Sequence, residues 1–246
     1  MALRDREWRD TAHGGGMPHT SVVQQLCTQV MSAQSGAARV LVAVAGPPGA
    51  GKSTLAAELV MALRAQTGEN NAALVPMDGF HLDNEELRIR GLLAKKGAPE
   101  TFDTSAFVAL VAAVREDKGD LTYPLFDRAL DKTLSDAATL TAAARIVVFE
   151  GNYLLLQRGL WTAISGMFDV TVLLSVPLPV LHARLVARWL DHGLTEQDAE
   201  ARAVRNDLVN ARTVRDHSAP ADLMLLTQSD GQITIETRHE RVNRAG

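Results

Sequence analysis

Residues 38–54 read ARVLVAVAGPPGAGKST, and this stretch decides the fold. It opens with a continuous apolar run that ends in glycine, and such runs are typical of strands buried on both sides of a parallel sheet. The next segment, STLAAELVMALRAQ at residues 53–66, is predicted to form a strong helix. The stretch therefore predicts a buried strand, a glycine-rich loop and a helix in direct succession.

The loop itself fits the pattern G-x-x-x-x-G-K-[ST]. Its glycines allow backbone N–H groups to converge on phosphate oxygens at a helix N-terminus, which favours anions. In this motif Lys52 reaches the β- and γ-phosphates of a nucleotide, and Ser53 holds Mg²⁺. The alternative is an ordinary glycine-rich turn, but the flanking strand and helix favour nucleotide binding. The predicted nucleotide-binding residues are Gly46, Pro47, Pro48, Gly49, Ala50, Gly51, Lys52, Ser53 and Thr54.

Strand and helix patterns alternate along the rest of the chain, which predicts an α/β fold with three layers, helices on both faces of a mostly parallel sheet. We expect one domain over residues 19–246 and a disordered tail over the charged, glycine-rich residues 1–18. Thr104 and Ser105 are expected to cap a helix, and the alanine-rich residues 135–145 to form a connection. Strands are predicted within residues 38–46, 72–78, 145–152, 169–177, 221–228 and 232–238, the last at an edge, and helices within 21–33, 53–66, 104–117, 178–193 and 195–212.

Composition limits the possible partners. The 246 residues are 46% hydrophobic with a net charge of −4, so the chain has no general nucleic-acid footprint. Cys27 is the single cysteine, which suits a reducing cytoplasm, and no apolar stretch approaches the roughly 20 residues of a membrane span. The N-terminal residues lack the apolar core of a signal peptide. We expect a cytoplasmic protein with a small-molecule partner and no nucleic-acid or membrane partner. The sequence does not decide whether the protein forms a homodimer.

Other motifs narrow the class of phosphate-loop protein. The chain has no N-K-x-D, D-x-x-G or LSGGQ-like string, which argues against GTP switches and transporter ATPases. Motor-type ATPases place paired acids at a strand end, whereas the strand at residues 145–152 carries one acid, Glu150, followed by Gly151. A site without a second acid to activate water favours transfer to a bound hydroxyl. A regulatory ATPase without an acceptor is the alternative from another class.

The segment VPMDGFHLDN, residues 75–84, places Asp78 at the end of the next predicted strand. Ligands of parallel sheets bind beyond the carboxyl ends of the strands. A kinase needs a group there that orients and deprotonates the acceptor hydroxyl. Asp78 suits that task, but an aspartate before glycine is also common in turns. Position alone leaves both interpretations open.

Six segments follow one another along the chain: VAVAGPPGAGKSTLA, VPMDGFHLDN, KGAPETFD, YPLFDR, VVFEGNYLLL and RLVARWLDHG. Together they resemble the phosphoribulokinase/uridine kinase superfamily of P-loop kinases. The chain is most similar to the bacterial branch described as nucleoside kinase-like or fructose-transport-associated kinases, near pantothenate kinase. The resemblance implies ATP-dependent phosphorylation of a hydroxyl on a small metabolite. It also implies that Asp78 is the base that contacts the acceptor and that Glu150 lies by Mg²⁺.

The resemblance further assigns an acceptor pocket and a helical lid at about residues 182–212. The segment around Tyr123 is similar to one that closes over the acceptor in the superfamily. The chain has no counterpart of the downstream pocket histidine of uridine kinases. We therefore expect the acceptor to be a sugar or sugar-like polyol rather than a nucleoside or pantothenate. The alternative for the pocket residues is packing in the core or a place in a turn, and for the lid arginines a solvated helix face. Arg202 and Arg205 are assigned to the surface. The pocket residues are Phe80, His81, Tyr123, Asp127 and Arg128, and the lid arginines, expected near the phosphates, are Arg184 and Arg188.

Overall fold

The computed structural model describes residues 19–34, 39–228 and 232–238. The strands are β1 (Val40–Ala45), β2 (Ala72–Pro76), β3 (Leu121–Asp127), β4 (Lys132–Leu140), β5 (Ile146–Gly151), β6 (Val170–Ser175), β7 (Leu223–Thr227) and β8 (Ile233–Thr237). The helices are α1 (His19–Ala33), α2 (Lys52–Thr67), α3 (Asn84–Ile89), α4 (Thr104–Arg115), α5 (Leu178–Asp191), α6 (Glu196–Arg202) and α7 (Leu208–His217). A π-helical turn, Ala203–Asp207, joins α6 to α7.

The main sheet has six strands in the order β2-β5-β1-β6-β7-β8. Every neighbouring pair is parallel except β7 and β8, which are antiparallel. The sequence predicted a mostly parallel sheet whose last strand in the chain lies at an edge, and both features are confirmed. Because β1 lies between β5 and β6, the loop that follows β1 emerges at the centre of the sheet's carboxyl edge.

The strand β1 shows why the fold has three layers. All six of its residues are buried. Val40, Val42 and Val44 belong to a core cluster that also contains buried residues of α1, α2 and α5. Leu41, Ala43 and Ala45 belong to a second cluster with residues of α4 on the opposite face. Successive side chains of a strand point to opposite faces, so a wholly apolar strand has to be covered by helices on both sides.

The hairpin of β3 and β4 differs from the sequence-based expectation. The residues expected to form a connection, 135–145, include the second half of β4, which pairs antiparallel with β3. The pattern misled because most of β4 is exposed, so it lacks an apolar alternation. The hairpin packs directly on the turn after β2: a Cβ on Gly79 would lie 2.0 Å from the carbonyl oxygen of Pro124. Only glycine permits this contact between two backbones.

The start of α4 also corrects an expectation. Asp103 is the N-cap, and its Oδ1 accepts a hydrogen bond from the backbone N–H of Ala106 at 2.9 Å. Thr104 and Ser105 lie inside the helix instead. Aspartate is among the preferred N-cap residues because its carboxylate accepts a bond from a backbone N–H that has no partner within the helix.

Two expectations concern other parts of the chain. The tail predicted for residues 1–18 lies outside the described residues. Within residues 19–34, 39–228 and 232–238, no helix is both long enough and apolar enough to cross a membrane.

Candidate active site

A cavity of about 470 Å³ opens at the carboxyl ends of β1, β2 and β5. Its near wall comes from the loop after β1, and its far wall from α5 and the α6–α7 segment. The remaining lining comes from the turn after β2, the 96–97 segment, the β3–β4 hairpin and the end of β5. The polar and charged lining side chains include Lys52, Ser53, Asp78, His81, Lys96, Arg128, Asp131, Glu150, Asn152, Arg184, Arg188, Arg202, Asp207 and Asn210.

The phosphate loop has the backbone that its glycines predict. Gly49 and Gly51 have φ angles of 77° and 91°, in the region that side-chain-bearing residues rarely adopt. Pro48, Gly49, Gly51, Lys52, Ser53 and Thr54 line the cavity, whereas Gly46, Pro47 and Ala50 are not among its lining residues. The loop turns through a hydrogen bond from the Ala50 N–H to the Pro47 carbonyl oxygen, 3.2 Å. Its open side faces the cavity at the N-terminus of α2.

Lys52 is held at the floor of the loop. Only 8% of the residue is exposed, and its Nζ donates a hydrogen bond to the Pro47 carbonyl oxygen at 3.0 Å. Burial lowers the pKa of Lys52, and attraction to Glu150 and Asp78 opposes that shift. A buried ammonium with one backbone partner keeps further donors for an anion.

Glu150 and Ser53 lie together beside this lysine. Glu150 is the second-last residue of β5, opposite Val44 of β1, and the residue is 6% exposed. Burial raises the pKa of Glu150, and attraction to Lys52 and a hydrogen bond with Ser53 oppose the rise. A carboxylate and a hydroxyl are hard oxygen ligands of the kind that Mg²⁺ prefers, with the rest of its shell from phosphates and water. The described residues contain no group of three or more acidic, histidine or cysteine side chains that could hold a metal ion.

Asp78 lies in the short turn Met77–Phe80 that follows β2. Its carboxylate lines the cavity, and its Oδ2 accepts a hydrogen bond from Arg128 Nη2 at 2.7 Å. Arg128 follows the last residue of β3, so the hairpin carries this guanidinium to the carboxylate. The structure thus brings two predicted acceptor residues, Asp78 and Arg128, into one cavity with the phosphate loop.

His81 also lines the cavity, with its ring between two aromatic side chains. The ring centroid lies 4.1 Å from that of Phe102 and 4.8 Å from that of Phe126. Its Nδ1 is 2.8 Å from the Asp78 carbonyl oxygen. A carbonyl oxygen only accepts, so Nδ1 carries the proton. Burial lowers the pKa of His81, which leaves the neutral ring with Nε2 as an acceptor.

Three residues expected at the acceptor wall do not line the cavity. Phe80 is buried and packs edge-on against Phe107, with centroids 5.0 Å apart. Tyr123 is buried, and its hydroxyl donates to the Leu74 carbonyl oxygen at 3.0 Å. Asp127 accepts from two backbone N–H groups of the hairpin turn at 2.9 and 3.0 Å. Alternation along β3 and the turn after β2 direct these side chains away from the cavity lining, and their role at the acceptor stays a prediction.

The far wall carries both arginines that the sequence assigned to a lid. Arg184 Nη1 donates a hydrogen bond to the Gly49 carbonyl oxygen at 3.4 Å, so α5 lies against the phosphate loop. Arg188 Nη2 is 3.7 Å from Asp207 Oδ1. Both side chains line the cavity. Closure of residues 182–212 over a nucleotide stays a prediction.

Sequence reasoning missed several residues of the cavity. Lys96 Nζ donates to Asn84 Oδ1 at 2.7 Å and to Asp131 Oδ1 at 2.8 Å. Arg202, which was assigned to the surface, lines the cavity with its guanidinium 5.2 Å from the ring centroid of Trp189. The clearest signal was the location of Lys96 and Trp189 inside the quoted segments KGAPETFD and RLVARWLDHG.

Comparison with known proteins gives consistent relatives. The chain is 35% identical over 215 residues to "Putative uridine kinase C227.14" of Schizosaccharomyces pombe, and the match covers 85% of this chain and 92% of that protein. It is 27% identical over 217 residues to a pantothenate kinase of Rhizobium leguminosarum, covering 77% of this chain and 66% of that enzyme. No protein-family model matches the chain.

A solved structure supports the same assignment. The crystal structure of a "putative fructose transport system kinase" from Silicibacter sp. TM1040 shares 47% sequence identity with this chain. The two superpose with a TM-score of 0.77, covering 82% of this chain and 98% of the other. The sequence relatives, this neighbour and the phosphate-loop geometry agree, and the chain belongs to the phosphoribulokinase/uridine kinase superfamily of P-loop kinases.

Proposed function

We propose that this protein is a Mg²⁺-dependent kinase that transfers the γ-phosphoryl group of ATP to a hydroxyl of a sugar or sugar-like polyol. The observation that carries the proposal is the position of Asp78. Its carboxylate faces the same cavity as Lys52 and the phosphate loop, beyond the carboxyl end of the strand β2. The chain therefore offers a proton acceptor across from the triphosphate site.

Each role in the transfer has a residue in this cavity. The N–H groups of the phosphate loop and the Lys52 ammonium hold the triphosphate, and Ser53 and Glu150 would hold Mg²⁺. The bound ion would neutralise charge on the phosphate oxygens. Asp78 accepts the proton of the acceptor hydroxyl while that oxygen bonds to the γ-phosphorus and the bond to ADP breaks. Arg128 donates to Oδ2 of the Asp78 carboxylate at 2.7 Å, and a carboxylate has further lone pairs that can accept a hydrogen bond from the acceptor hydroxyl.

The acceptor side of the cavity supports a hydroxyl-rich substrate. Arg128 and Asn152 offer donors, while Asp131 and the Nε2 of His81 offer acceptors. Such a mixed set matches neighbouring hydroxyls, which both donate and accept. The name of the 47% identical neighbour, which refers to fructose transport, agrees with a sugar.

A nucleoside is the second candidate acceptor, and one observation favours it. The Phe126 ring lines the cavity beside the His81 ring, tilted by 40° with centroids 4.8 Å apart, and an aromatic side chain there could contact a base. The name of the 35% identical yeast relative refers to uridine kinase. The chain nonetheless lacks the downstream histidine that marks the uridine kinase pocket.

The test is an ADP-release screen with Mg–ATP over fructose, ribose, sorbitol, uridine, cytidine and pantothenate. We expect the highest kcat/KM for a sugar or polyol, and a phosphomonoester signal in the ³¹P spectrum of the product. A nucleoside far above every sugar would make the second candidate correct. ATP turnover of equal rate with and without every acceptor would show an ATPase instead. Lys52→Ala is the control for contaminating kinases.

A further inference from the structure

The wall opposite the phosphate loop contains an irregular helix. The π-helical turn Ala203–Asp207 interrupts the path from α6 to α7. Such turns are rare and occur frequently at functional sites. Here the turn directs Asn206 and Asp207 inward: Asp207 is 5% exposed, and Asn206 Nδ2 donates to the Lys96 carbonyl oxygen at 2.9 Å. The helix therefore brings a buried carboxylate to the cavity.

Asp207 holds an indole ring in place. Trp189 Nε1 donates a hydrogen bond to Asp207 Oδ2 at 2.6 Å. The ring in turn lies against two guanidinium groups, those of Arg188 at 5.1 Å and Arg202 at 5.2 Å from the centroid. Both distances fall within the range of cation–π attraction. We call these four residues, Arg188, Trp189, Arg202 and Asp207, the tryptophan clamp; all of them line the cavity.

The carboxylate of the clamp is costly for the fold. Burial raises the pKa of Asp207, and the hydrogen bond from Trp189 and the attractions to Arg188 and Arg202 only oppose that rise. An ionised group out of water destabilises the folded state unless it is well paired. The nearest basic partner, Arg188 Nη2, is 3.7 Å away, longer than a good hydrogen bond. Stability alone therefore gives a poor reason for an aspartate at this position.

The tryptophan clamp lies in the cavity wall that contacts the phosphate loop. Arg184 of the same helix, α5, reaches the Gly49 carbonyl oxygen at 3.4 Å, so this wall and the phosphate loop are in contact. Arg188 and Arg202 also line the cavity, and Arg202 Nη2 donates a hydrogen bond to the Lys96 carbonyl oxygen at 3.3 Å. Guanidinium groups bind phosphate through paired N–H donors of fixed geometry, so their orientation matters as much as their charge.

We propose that Asp207 is a positioning residue that orients Arg188 and Arg202 through the indole of Trp189, and that Arg202 is a further residue that contacts the nucleotide phosphates. The inference rests on the proposed kinase function, since it supposes that the cavity receives a triphosphate. In this arrangement the guanidinium groups of Arg188 and Arg202 add to the phosphate-binding donors of the phosphate loop. It also explains why the helical wall contains a buried acid, Asp207.

The test measures the affinity of the full chain for Mg–AMPPNP by calorimetry, with kcat as a second readout. Asp207→Asn keeps an acceptor for the Trp189 N–H but removes the charge. Because an Arg–phosphate contact is a charge-assisted hydrogen bond, we expect Asp207→Asn and Arg202→Ala each to weaken AMPPNP binding about tenfold or more. The control is Asp198→Asn on α6, whose carboxylate accepts from the Thr195 hydroxyl and does not line the cavity. It should bind like wild type.

Melting temperatures separate positioning from a structural role. Removal of a buried charge should leave the melting temperature of Asp207→Asn equal to or above that of wild type. A sharp drop, with normal AMPPNP affinity of the folded protein, would mean that Asp207 is structural and would overturn the inference. So would wild-type affinity in both cavity variants. A wild-type protein that does not bind AMPPNP would refute the proposed function itself.

Discussion

Asp78→Asn is the most informative single change, because it keeps the shape of the side chain and removes the proton acceptor. If Asp78 is the general base, the loss of this function should lower kcat by about 10²–10⁴-fold. Part of the loss comes from poorer orientation of the acceptor hydroxyl. In a loose phosphoryl-transfer transition state the bond from the nucleophile to phosphorus is only slightly formed, so proton removal accounts for less of the effect. The asparagine still accepts a hydrogen bond from Arg128, so the hairpin should stay in place.

The structure limits how far this change can destabilise the fold. The Asp78–Arg128 ion pair is 2.7 Å long, and its side chains are 27% and 63% exposed, so solvent screens it. Pairs of this kind contribute about 0.2–1 kcal/mol. For a chain of this size that corresponds to a fall in melting temperature of about 4 °C at most. A large loss of kcat with so small a loss of stability would have to be catalytic.

The assay is ADP release at saturating Mg–ATP and acceptor, with AMPPNP affinity and a thermal melt on the same preparation. Nucleotide affinity should change little because Asp78 contacts the acceptor side. Glu86→Gln is the matched control: Glu86 of α3 also accepts from an arginine, Arg90 at 2.6 Å, but does not line the cavity. A kcat within about threefold of wild type, far below general-base losses, would show that Asp78 is only a turn residue.

Three further predictions test the site and its surroundings. Lys52→Ala should nearly abolish turnover with an almost unchanged melting temperature, since it removes a buried charge; wild-type turnover would refute the phosphate-loop assignment. Phe80→Ala should lower the free energy of unfolding by about 3–5 kcal/mol in urea titrations, because Phe80 is buried against Phe107; a change below about 1 kcal/mol would put Phe80 outside the core. Burial lowers the pKa of His81, so as pH drops the unfolded chain protonates this histidine before the folded chain does. The free energy of unfolding should therefore fall as pH drops from about 6.5 through the lowered value. His81→Asn should reduce that fall, and an unchanged pH profile of the free energy of unfolding would contradict the buried neutral ring.

The sequence by itself determined the centre of the fold and the phosphate loop. The phosphate loop is one contiguous segment, and its strand, glycines and helix cap follow from local backbone geometry. Glu150 could be found because it ends an apolar run, and the carboxyl ends of parallel strands meet at one edge of the sheet. Asp78 followed from the same rule, and its role came from the resemblance to a kinase superfamily.

Only the tertiary structure decided which side chains line the cavity and which of them form the tryptophan clamp. Phe80 and Tyr123 lie within the motifs that marked the pocket, yet the packing of β3 on Gly79 turns both side chains into the core. Lys96 lies in one of the quoted motifs, but neither Lys96 nor Arg202 has a local spacing that places its side chain in the cavity. Their side chains reach the cavity because distant segments meet there and because a π-helical turn changes which side of a helix faces inward. Spacing along a chain encodes contacts within one element, whereas contacts between elements depend on packing and register.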